Sequence, residues 1–135
     1  MISYLLDTNI CIFLIQNKSQ TVLQRFRQHP VGEIGISAVT LAELRYGADK
    51  SQDPTANHAA LDAFLVPLSI LDFDAEAANH YGKIRTDLEG RGLPIGPLDT
   101  MIAAHARSLG VTLVTNNVSE FSRVPGLTIE DWTKP

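Results

Sequence analysis

The sequence predicts an α/β fold, with a mostly parallel central sheet flanked by helices on both faces. Short, mostly apolar segments of strand length alternate along the chain with longer segments of helical periodicity. Glycine, proline, asparagine and aspartate separate these segments, as expected for turns. Strands that alternate with helices form parallel sheets that bury both faces. The 135 residues and the 44% hydrophobic content fit one domain with one ordinary core.

The predicted elements follow from local pattern, in chain order. Short segments rich in apolar residues predict strands at residues 3–6, 32–37, 68–73, 111–114 and, on the edge of the sheet, 127–129. Apolar residues that recur every three or four positions predict helices at residues 10–15, 21–28, 39–48, 56–64, 75–88 and 97–109. The last of these helices begins at Pro97 and ends before Gly110. Residues 90–96, GRGLPIG, are predicted to form a loop.

The charge balance argues at first against a nucleic-acid partner. The chain carries 15 acidic and 11 basic residues, with a net charge of −4, whereas phosphate binding depends on Lys and Arg. If four of the acids gather in one site, the remaining acidic and basic residues balance each other. The acidity then belongs to a cation site and not to the whole surface.

Membrane insertion and secretion are not expected from the sequence. No apolar stretch approaches the ~20 residues of a membrane-spanning helix. The N-terminus, MISYLLD, lacks the basic region of a secretory signal. The single cysteine, Cys11, has no partner for an internal disulfide and is predicted to be a small core residue. These features predict a protein of the reducing cytoplasm.

The motif LLDTN places Asp7 at the carboxyl end of the first predicted strand. Its side chain either caps the helix that follows or takes part in a reaction, and the motif alone favours neither. Ligands of parallel α/β sheets bind outside the carboxyl ends of the strands. The strand at 111–114 also leads into polar residues, Asn116 and Asn117. If the two strands are parallel, these asparagines share an edge of the sheet with Asp7.

Three further acids are ambiguous when each is taken alone. Glu43, in SAVTLAEL, either forms a capping box with Thr40 or projects freely from a helix capped by Ser37. Asp99 lies in the first turn of an almost wholly apolar helix, where it either stabilises the helix dipole or serves a function. Glu120, in TNNVSEF, reads as a solvated loop acid.

Together the four acids predict a cation site. Two carboxylates about 5 Å apart repel by about 3 kcal/mol at an effective dielectric of 20, so such a cluster needs a cation or bound protons. The histidines have no Cys or His partner at zinc spacing. An oxygen-only site suits Mg²⁺ or Mn²⁺, ions that orient water and neutralise charge in phosphate chemistry.

Three motifs resemble, in their order and spacing, a known family. They are LDTNI at 6–10, the TLAEL-type helix at 40–44 and GPLDTMIAAHA at 96–106. The chain resembles the PIN-domain ribonucleases, and most closely the VapC toxins of bacterial VapBC toxin–antitoxin pairs. The similarity covers essentially the whole length, so it implies a PIN-like fold and a single PIN-like ribonuclease domain over residues 1–135.

The resemblance implies a metal-dependent endoribonuclease whose core acids are Asp7, Glu43 and Asp99. Many PIN proteins have an aspartate at the position of Asn117, so here Glu120 is a candidate fourth carboxylate and Asn117 a candidate neutral ligand. The implied cofactor is Mg²⁺, with Mn²⁺ as a substitute. Polar residues that match the motifs are assigned to orienting the acids: Thr8, Asn9, Thr115 and Asn116.

The resemblance also implies a substrate and partners. The substrate is tRNA, cut in the anticodon region so that translation stops, with 5′-phosphate and 3′-hydroxyl ends. Contacts with the RNA backbone are assigned to Arg91, Lys18 and Lys50. A VapB-type antitoxin is expected to cover the acidic site, and a homodimer is expected. The apolar residues around 61–64, and Phe13 with Leu14, serve one of these interfaces or belong to the core.

Two other interpretations fit part of the sequence. A HAD-type phosphatase also begins with a strand that ends in aspartate, but it usually has a second acid two residues later, where this chain has Asn9. The other rival is a catalytically weak PIN fold that serves as an RNA- or protein-binding regulatory module. Loss of the core acids would favour the module, and all three are present. Metal binding distinguishes the module from the enzyme.

Overall fold

Five strands form one sheet in which every neighbouring pair is parallel. A computed structural model describes residues 1–135. The strands are β1 (Tyr4–Leu6), β2 (Ile34–Ser37), β3 (Ser69–Leu71), β4 (Thr112–Val114) and β5 (Ile129–Glu130). Their order across the sheet is β3-β2-β1-β4-β5. The predicted α/β fold is therefore confirmed, and the sheet is wholly parallel where a mostly parallel one was predicted.

Seven helices connect the strands. They are α1 (Thr8–Ile15), α2 (Gln20–Arg27), α3 (Ala38–Asp49), α4 (Pro54–Leu65), α5 (Ala75–Gly90), α6 (Pro97–Leu109) and α7 (Val118–Phe121). None of them combines the length and the apolar character that a bilayer-crossing helix requires.

The helices cover both faces of the sheet, as predicted. Because successive strand residues point to opposite faces, Leu5 packs into one core with residues of α5 and α6, and Leu6 packs into another with residues of α1 to α4. Cys11 is fully buried in the second core, as expected. Four of the apolar residues that the sequence assigns either to an interface or to the core lie in or against this second core. Leu61 is buried in it, and Phe13, Leu14 and Phe64 are partly buried against it.

Element bounds differ from the prediction where short-range chemistry decides them. Helix α1 begins at Thr8, two residues before the predicted start, because the side chain of Asp7 caps it. The last strand is Ile129–Glu130 and not residues 127–129, since pairing with β4 fixes its register. Helix α7 has four residues, too few to show a helical period. Glu120 therefore lies in a helix that local pattern does not predict, and not in the predicted loop.

The order of the strands defines a crevice at one edge of the sheet. From β1 the sheet continues through β2 and β3 on one side, and through β4 and β5 on the other. Parallel α/β sheets bind ligands where the strand order reverses, outside the carboxyl ends of the strands. Asp7 directly follows β1 and Thr115 directly follows β4, so both lie at this crevice.

Gly35 allows β2 and β3 to approach each other closely. A Cβ atom at this position would lie 2.9 Å from the backbone oxygen of Ser69 in β3. Gly35→Ala is therefore expected to lower the free energy of unfolding by about 1–3 kcal/mol, which urea denaturation measures. The matched control is Gly82→Ala within α5, where a Cβ meets nothing within 4 Å. The control is expected to stabilise by up to about 1 kcal/mol; equal losses in both variants would contradict the prediction.

Candidate active site

Asp7 is buried at the carboxyl end of β1, with only 4% of its surface exposed. Its N–H donates to the carbonyl of Val114 at 3.0 Å, which extends the pairing of β1 with β4 by one residue. Its Oδ1 accepts the N–H of Ile10 at 2.9 Å and caps α1. The helix-cap interpretation is thus correct. The carboxylate also has acceptor sites beyond the one that the cap uses, so the cap does not prevent it from binding another group.

Glu43 projects from the second turn of α3 toward α1. The hydroxyl of Ser37 accepts the N–H of Val39 at 3.0 Å and caps this helix, so the alternative capping box with Thr40 is not formed. The hydroxyl of Thr8 instead donates to Glu43 Oε1 at 2.7 Å. The Glu43 carboxylate is therefore held by a side chain that lies next to Asp7.

Asp99 and Glu120 come from the other side of the crevice. Asp99 lies in the first turn of α6, whose N-cap, Gly96, offers no side-chain hydrogen bond. Glu120 lies in α7, and its Oε2 accepts the Asn117 side-chain N–H at 2.9 Å. The backbone N–H of Asn117 donates in turn to Thr115 Oγ1 at 2.9 Å. Asn117 therefore joins the end of β4 to Glu120.

Burial and neighbouring charges raise the pKa of two of these acids to about 6. For Asp7 the largest cause is burial, and the charges of Asp99 and Glu43 add to it, while hydrogen bonds from Thr115 and Ile10 oppose the shift. For Asp99 burial is again the largest cause, followed by the charges of Glu120 and Glu43 and a hydrogen bond with Glu120. The four carboxylates thus act on one another across a single crevice.

The chemistry of the donor set fits a hard divalent cation. All four groups offer carboxylate oxygens, the ligands that Mg²⁺ and Mn²⁺ prefer. Bound positive charge offsets the burial and the repulsion that raise the pKa of Asp7 and Asp99. No three acidic, histidine or cysteine side chains stand close enough together to enclose an ion. The arrangement of the four carboxylates is therefore open.

The four polar residues assigned to orienting the acids fall into two pairs. Thr8 and Thr115 contact the acids Glu43 and Asp7, respectively. Asn9 and Asn116 are exposed, and neither forms a side-chain hydrogen bond. The first pair is thus placed to orient carboxylates, while the second pair has no contact that would do so.

The three basic residues assigned to RNA contacts are all exposed. The guanidinium of Arg91 is held by Asp87, at 2.6 Å, and by the carbonyl of Arg123, at 2.7 Å. Lys18 follows α1, and Lys50 follows α3. Of the three, only Arg91 has its charge paired with a carboxylate.

A buried polar pair, Ser37 and His105, was not predicted from the sequence. His105 is only 1% exposed, and its Nδ1 lies 2.8 Å from the hydroxyl of Ser37. That hydroxyl accepts the N–H of Val39, and its own hydrogen is free to donate to Nδ1 of a neutral ring. Burial lowers the pKa of His105, which favours the neutral ring. The pair ties α6, which carries Asp99, to the start of α3, which carries Glu43. The sequence feature that could have indicated this pair is the polar residue His105 inside the apolar run MIAAHA.

Ser37→Ala is expected to lower the free energy of unfolding by about 2–3 kcal/mol, because it removes a helix cap and leaves the buried His105 Nδ1 without its partner. The matched control is Ser19→Ala, which removes only the cap of α2, where the hydroxyl accepts the N–H of Val22 at 3.2 Å. The control is expected to cost about 1 kcal/mol. Equal losses in the two variants, measured by urea denaturation, would mean that the contact with His105 adds no stability.

An apolar groove opens beside the acids. It has a volume of about 280 Å³ and lies between α1, α3 and α4, with Glu43 among its lining residues. Its apolar wall includes Ile12, Ile15, Leu44 and Leu61. A chain segment bound in this groove would therefore reach the acidic crevice at the Glu43 end.

Comparison with known proteins gives a consistent result. The family model described as "PIN domain" matches residues 4–127. A protein of Shigella flexneri named tRNA(fMet)-specific endonuclease VapC is 53% identical over 133 residues, which cover 98% of this chain and 100% of that protein. A protein of the same name from Salmonella typhimurium strain LT2 is 48% identical over 132 residues, which cover 98% and 99% of the two chains.

Solved structures agree in fold with this chain. The crystal structure of VapBC2 from Rickettsia felis, bound to a DNA fragment from its promoter, contains a chain with a TM-score of 0.92 and 44% identity, at 98% and 99% coverage. DNA-bound VapBC from Salmonella typhimurium contains one with a TM-score of 0.93 and 48% identity, at the same coverage. A parallel sheet with acids at its carboxyl edge and these matches define the class: the chain belongs to the PIN-domain family. Within that family it is of the VapC type.

Proposed function

We propose that this chain is a metal-dependent endoribonuclease, the toxin of a type II toxin–antitoxin pair, and that it cleaves tRNA in the anticodon region and so inhibits translation. The observation that carries the proposal is the single crevice that gathers Asp7, Glu43, Asp99 and Glu120, where burial and the charges of neighbouring acids raise the pKa of Asp7 and of Asp99. The named endonuclease activity of the VapC relatives toward tRNA(fMet) supports this substrate. Initiator tRNA is therefore the first substrate to test.

The core acids Asp7, Glu43 and Asp99 would hold the cation, with Glu120 as a fourth carboxylate and Asn117 as a neutral neighbour. When bound, Mg²⁺, or Mn²⁺ in its place, activates a water molecule and neutralises charge on the phosphate. Two of the carboxylates are oriented by the chain itself: Ile10 and Thr115 hold Asp7, and Thr8 holds Glu43. Such preorganised groups need no rearrangement during the reaction.

Two further features of the reaction are where the proton of the attacking water goes and which chemical groups the product ends carry. The charge of Glu120 adds to the burial that raises the pKa of Asp99, so this pair of carboxylates could take up the proton that the attacking water releases. Attack by water in line with the leaving 3′ oxygen gives a 5′-phosphate and a 3′-hydroxyl end. Lys18, Lys50 and Arg91 are the proposed contacts with the RNA backbone, although the charge of Arg91 is already paired with Asp87.

The proposed partner is a VapB-type antitoxin, in agreement with the VapBC complexes among similar structures. An apolar segment of the antitoxin fits the groove lined by Ile12, Ile15 and Leu61. A basic side chain at its end would then reach Glu43 and the other acids, and would compete with the cation. We further propose a homodimer and a cytoplasmic place of action, where tRNA and antitoxin are both available.

The experiment incubates the purified chain with total tRNA in Mg²⁺ or in EDTA and sequences the fragment ends. Discrete cuts in Mg²⁺, absent in EDTA and in Asp99→Ala, are the expected result. Intact tRNA together with retained metal binding would mean that the site is real and the substrate is wrong.

A second candidate function is that of a catalytically weak binding module. One observation favours it: no three potential ligands stand close enough to enclose an ion. Such a module is expected to show no Mn²⁺-dependent stabilisation. Mn²⁺-dependent stabilisation that disappears in Asp7→Asn would reject it.

A further inference from the structure

An exposed aromatic ring lies one helical turn beyond Glu43 on α3. Tyr46 has 65% of its surface in solvent, whereas the apolar residues Val39 and Leu44 of the same helix are buried. The ring is not part of an apolar patch, because the nearby residues Arg45, Asp49 and Lys50 are charged. Tyr46 therefore contributes little to the core, and its surroundings are not those of an apolar protein interface.

A free positive charge accompanies this ring. The ammonium of Lys50 lies 4.8 Å from the centroid of the Tyr46 ring and forms no ion pair with a carboxylate. Arg45, on the same helix, is instead bound to Asp62 at 2.7 Å and to His58 at 3.0 Å. Lys50 thus keeps its charge available for a ligand, and its position over one face of the ring leaves the opposite face for a flat group.

Tyr46 and Lys50 continue the line of the acidic crevice. An α-helix rises by about 1.5 Å per residue and turns about 100°, so Glu43, Tyr46 and Lys50 fall within one stripe about 10 Å long. The stripe begins at Glu43, an acid of the crevice, and ends at the ammonium group of Lys50. The Tyr46 ring is therefore within about the length of one nucleotide of Glu43 along α3.

We propose that Tyr46 and Lys50 form a subsite for an unstacked RNA base and its phosphate, next to the phosphodiester bond that is cut. The proposal rests on the proposed ribonuclease function and adds to it a place where substrate is held. Aromatic side chains bind the bases of single-stranded loops by stacking, irrespective of base identity, and a lysine nearby neutralises the backbone. The ligand class is thus single-stranded RNA and not a duplex, whose bases are already stacked.

The first test compares cleavage of tRNA by wild type, Tyr46→Leu and Lys50→Gln. Tyr46→Leu keeps an apolar side chain on an exposed helix position but loses the flat face, and it is expected to raise KM about tenfold with a smaller change in kcat. Tyr46→Phe keeps the ring and is expected to recover most of that loss. Lys50→Gln is expected to reduce the slope of log KM against log salt by about the amount that one phosphate contact contributes. The control, Lys83→Gln, changes another exposed lysine without an ion pair, on α5.

The second test measures stacking directly. A short RNA that spans the cut found with wild type carries 2-aminopurine next to the cleaved bond, and the Asp99→Asn variant binds it without cutting. Quenching of the 2-aminopurine on binding, lost when Tyr46→Leu is added, is the expected result. Thermal unfolding of each variant shows that the fold is retained.

The other outcomes separate this proposal from the proposed function. If wild type cleaves tRNA while Tyr46→Leu and Lys50→Gln behave like Lys83→Gln, the subsite is wrong and the ribonuclease function stands. If Tyr46→Leu leaves KM unchanged but weakens dimerisation or antitoxin binding, the surface serves a protein partner and the subsite is wrong. If wild type neither binds nor cuts tRNA, the proposed function fails and the subsite fails with it.

Discussion

Asp7→Asn is expected to abolish ribonuclease activity and, at the same time, to stabilise the fold at pH 7. The pKa of Asp7 is raised from its ordinary 3.8 to about 6 by burial and by neighbouring acids. A carboxyl group with a raised pKa destabilises the folded state once it is ionised, so the cost is complete above about pH 6 and disappears as the pH falls through 6 toward 4. The neutral amide removes this cost, and we expect a gain of up to about 3 kcal/mol at pH 7.

The activity loss and the stability gain have separate causes. The amide keeps an oxygen that accepts the N–H of Ile10 and caps α1, but it loses the charge that a cation requires, so activity should fall by at least about 10²- to 10³-fold. The control is Asp7→Ala, which loses the charge and also the cap, a loss of about 1 kcal/mol. Urea denaturation at pH 7 and at pH 4 measures the stability difference. A destabilised Asp7→Asn, or a gain that persists at pH 4, would contradict this account.

Mn²⁺ or Mg²⁺ is expected to stabilise the folded chain strongly at pH 7.5 and hardly at all at pH 5. A ligand that binds only the folded state stabilises it by about 2.7 kcal/mol at a concentration of 100 times Kd. The pKa of Asp7 and that of Asp99 are about 6. Below pH 6 protons therefore occupy the oxygens that would bind the cation, and the stabilisation is lost as the pH falls.

Thermal unfolding with and without Mn²⁺, across pH 5 to 8, measures this effect. Asp99→Asn should remove the dependence on Mn²⁺, whereas the control Glu76→Gln, exposed in the first turn of α5, should keep it. A cation effect of equal size in both variants would place the cation elsewhere on the surface.

Much of the fold could be predicted because its signals are local. The alternation of apolar segments and helical patterns predicted the parallel sheet, and LLDTN together with VTNN placed two polar strand ends on one edge. Pairing of Leu6 with Val114 confirms that edge. Helix α6 has its predicted limits, since Pro97 and Gly110 act at its two ends.

The parts that were missed depend on contacts between distant residues. The bond between Ser37 and His105 joins positions 68 residues apart, and nothing in either motif indicates the other. Helix α7 is too short to have a period, and pairing with β4 sets the bounds of β5. The exposure of Tyr46 could not be read from a helix whose other large residues pack inward. Local patterns therefore identified the acids, while the structure is needed for what holds and surrounds them.

The measurement that tests the central claim most directly is the chemistry of the cut ends. Initiator tRNA is incubated with the chain in Mg²⁺, and the fragments are treated with a 5′-phosphate-dependent exonuclease and with a ligase that requires a 3′-hydroxyl. Fragments with 5′-phosphate and 3′-hydroxyl ends, absent with Asp99→Ala, are the result that attack by water at the acidic crevice predicts. A 2′,3′-cyclic phosphate would contradict it, because that product requires attack by the ribose hydroxyl.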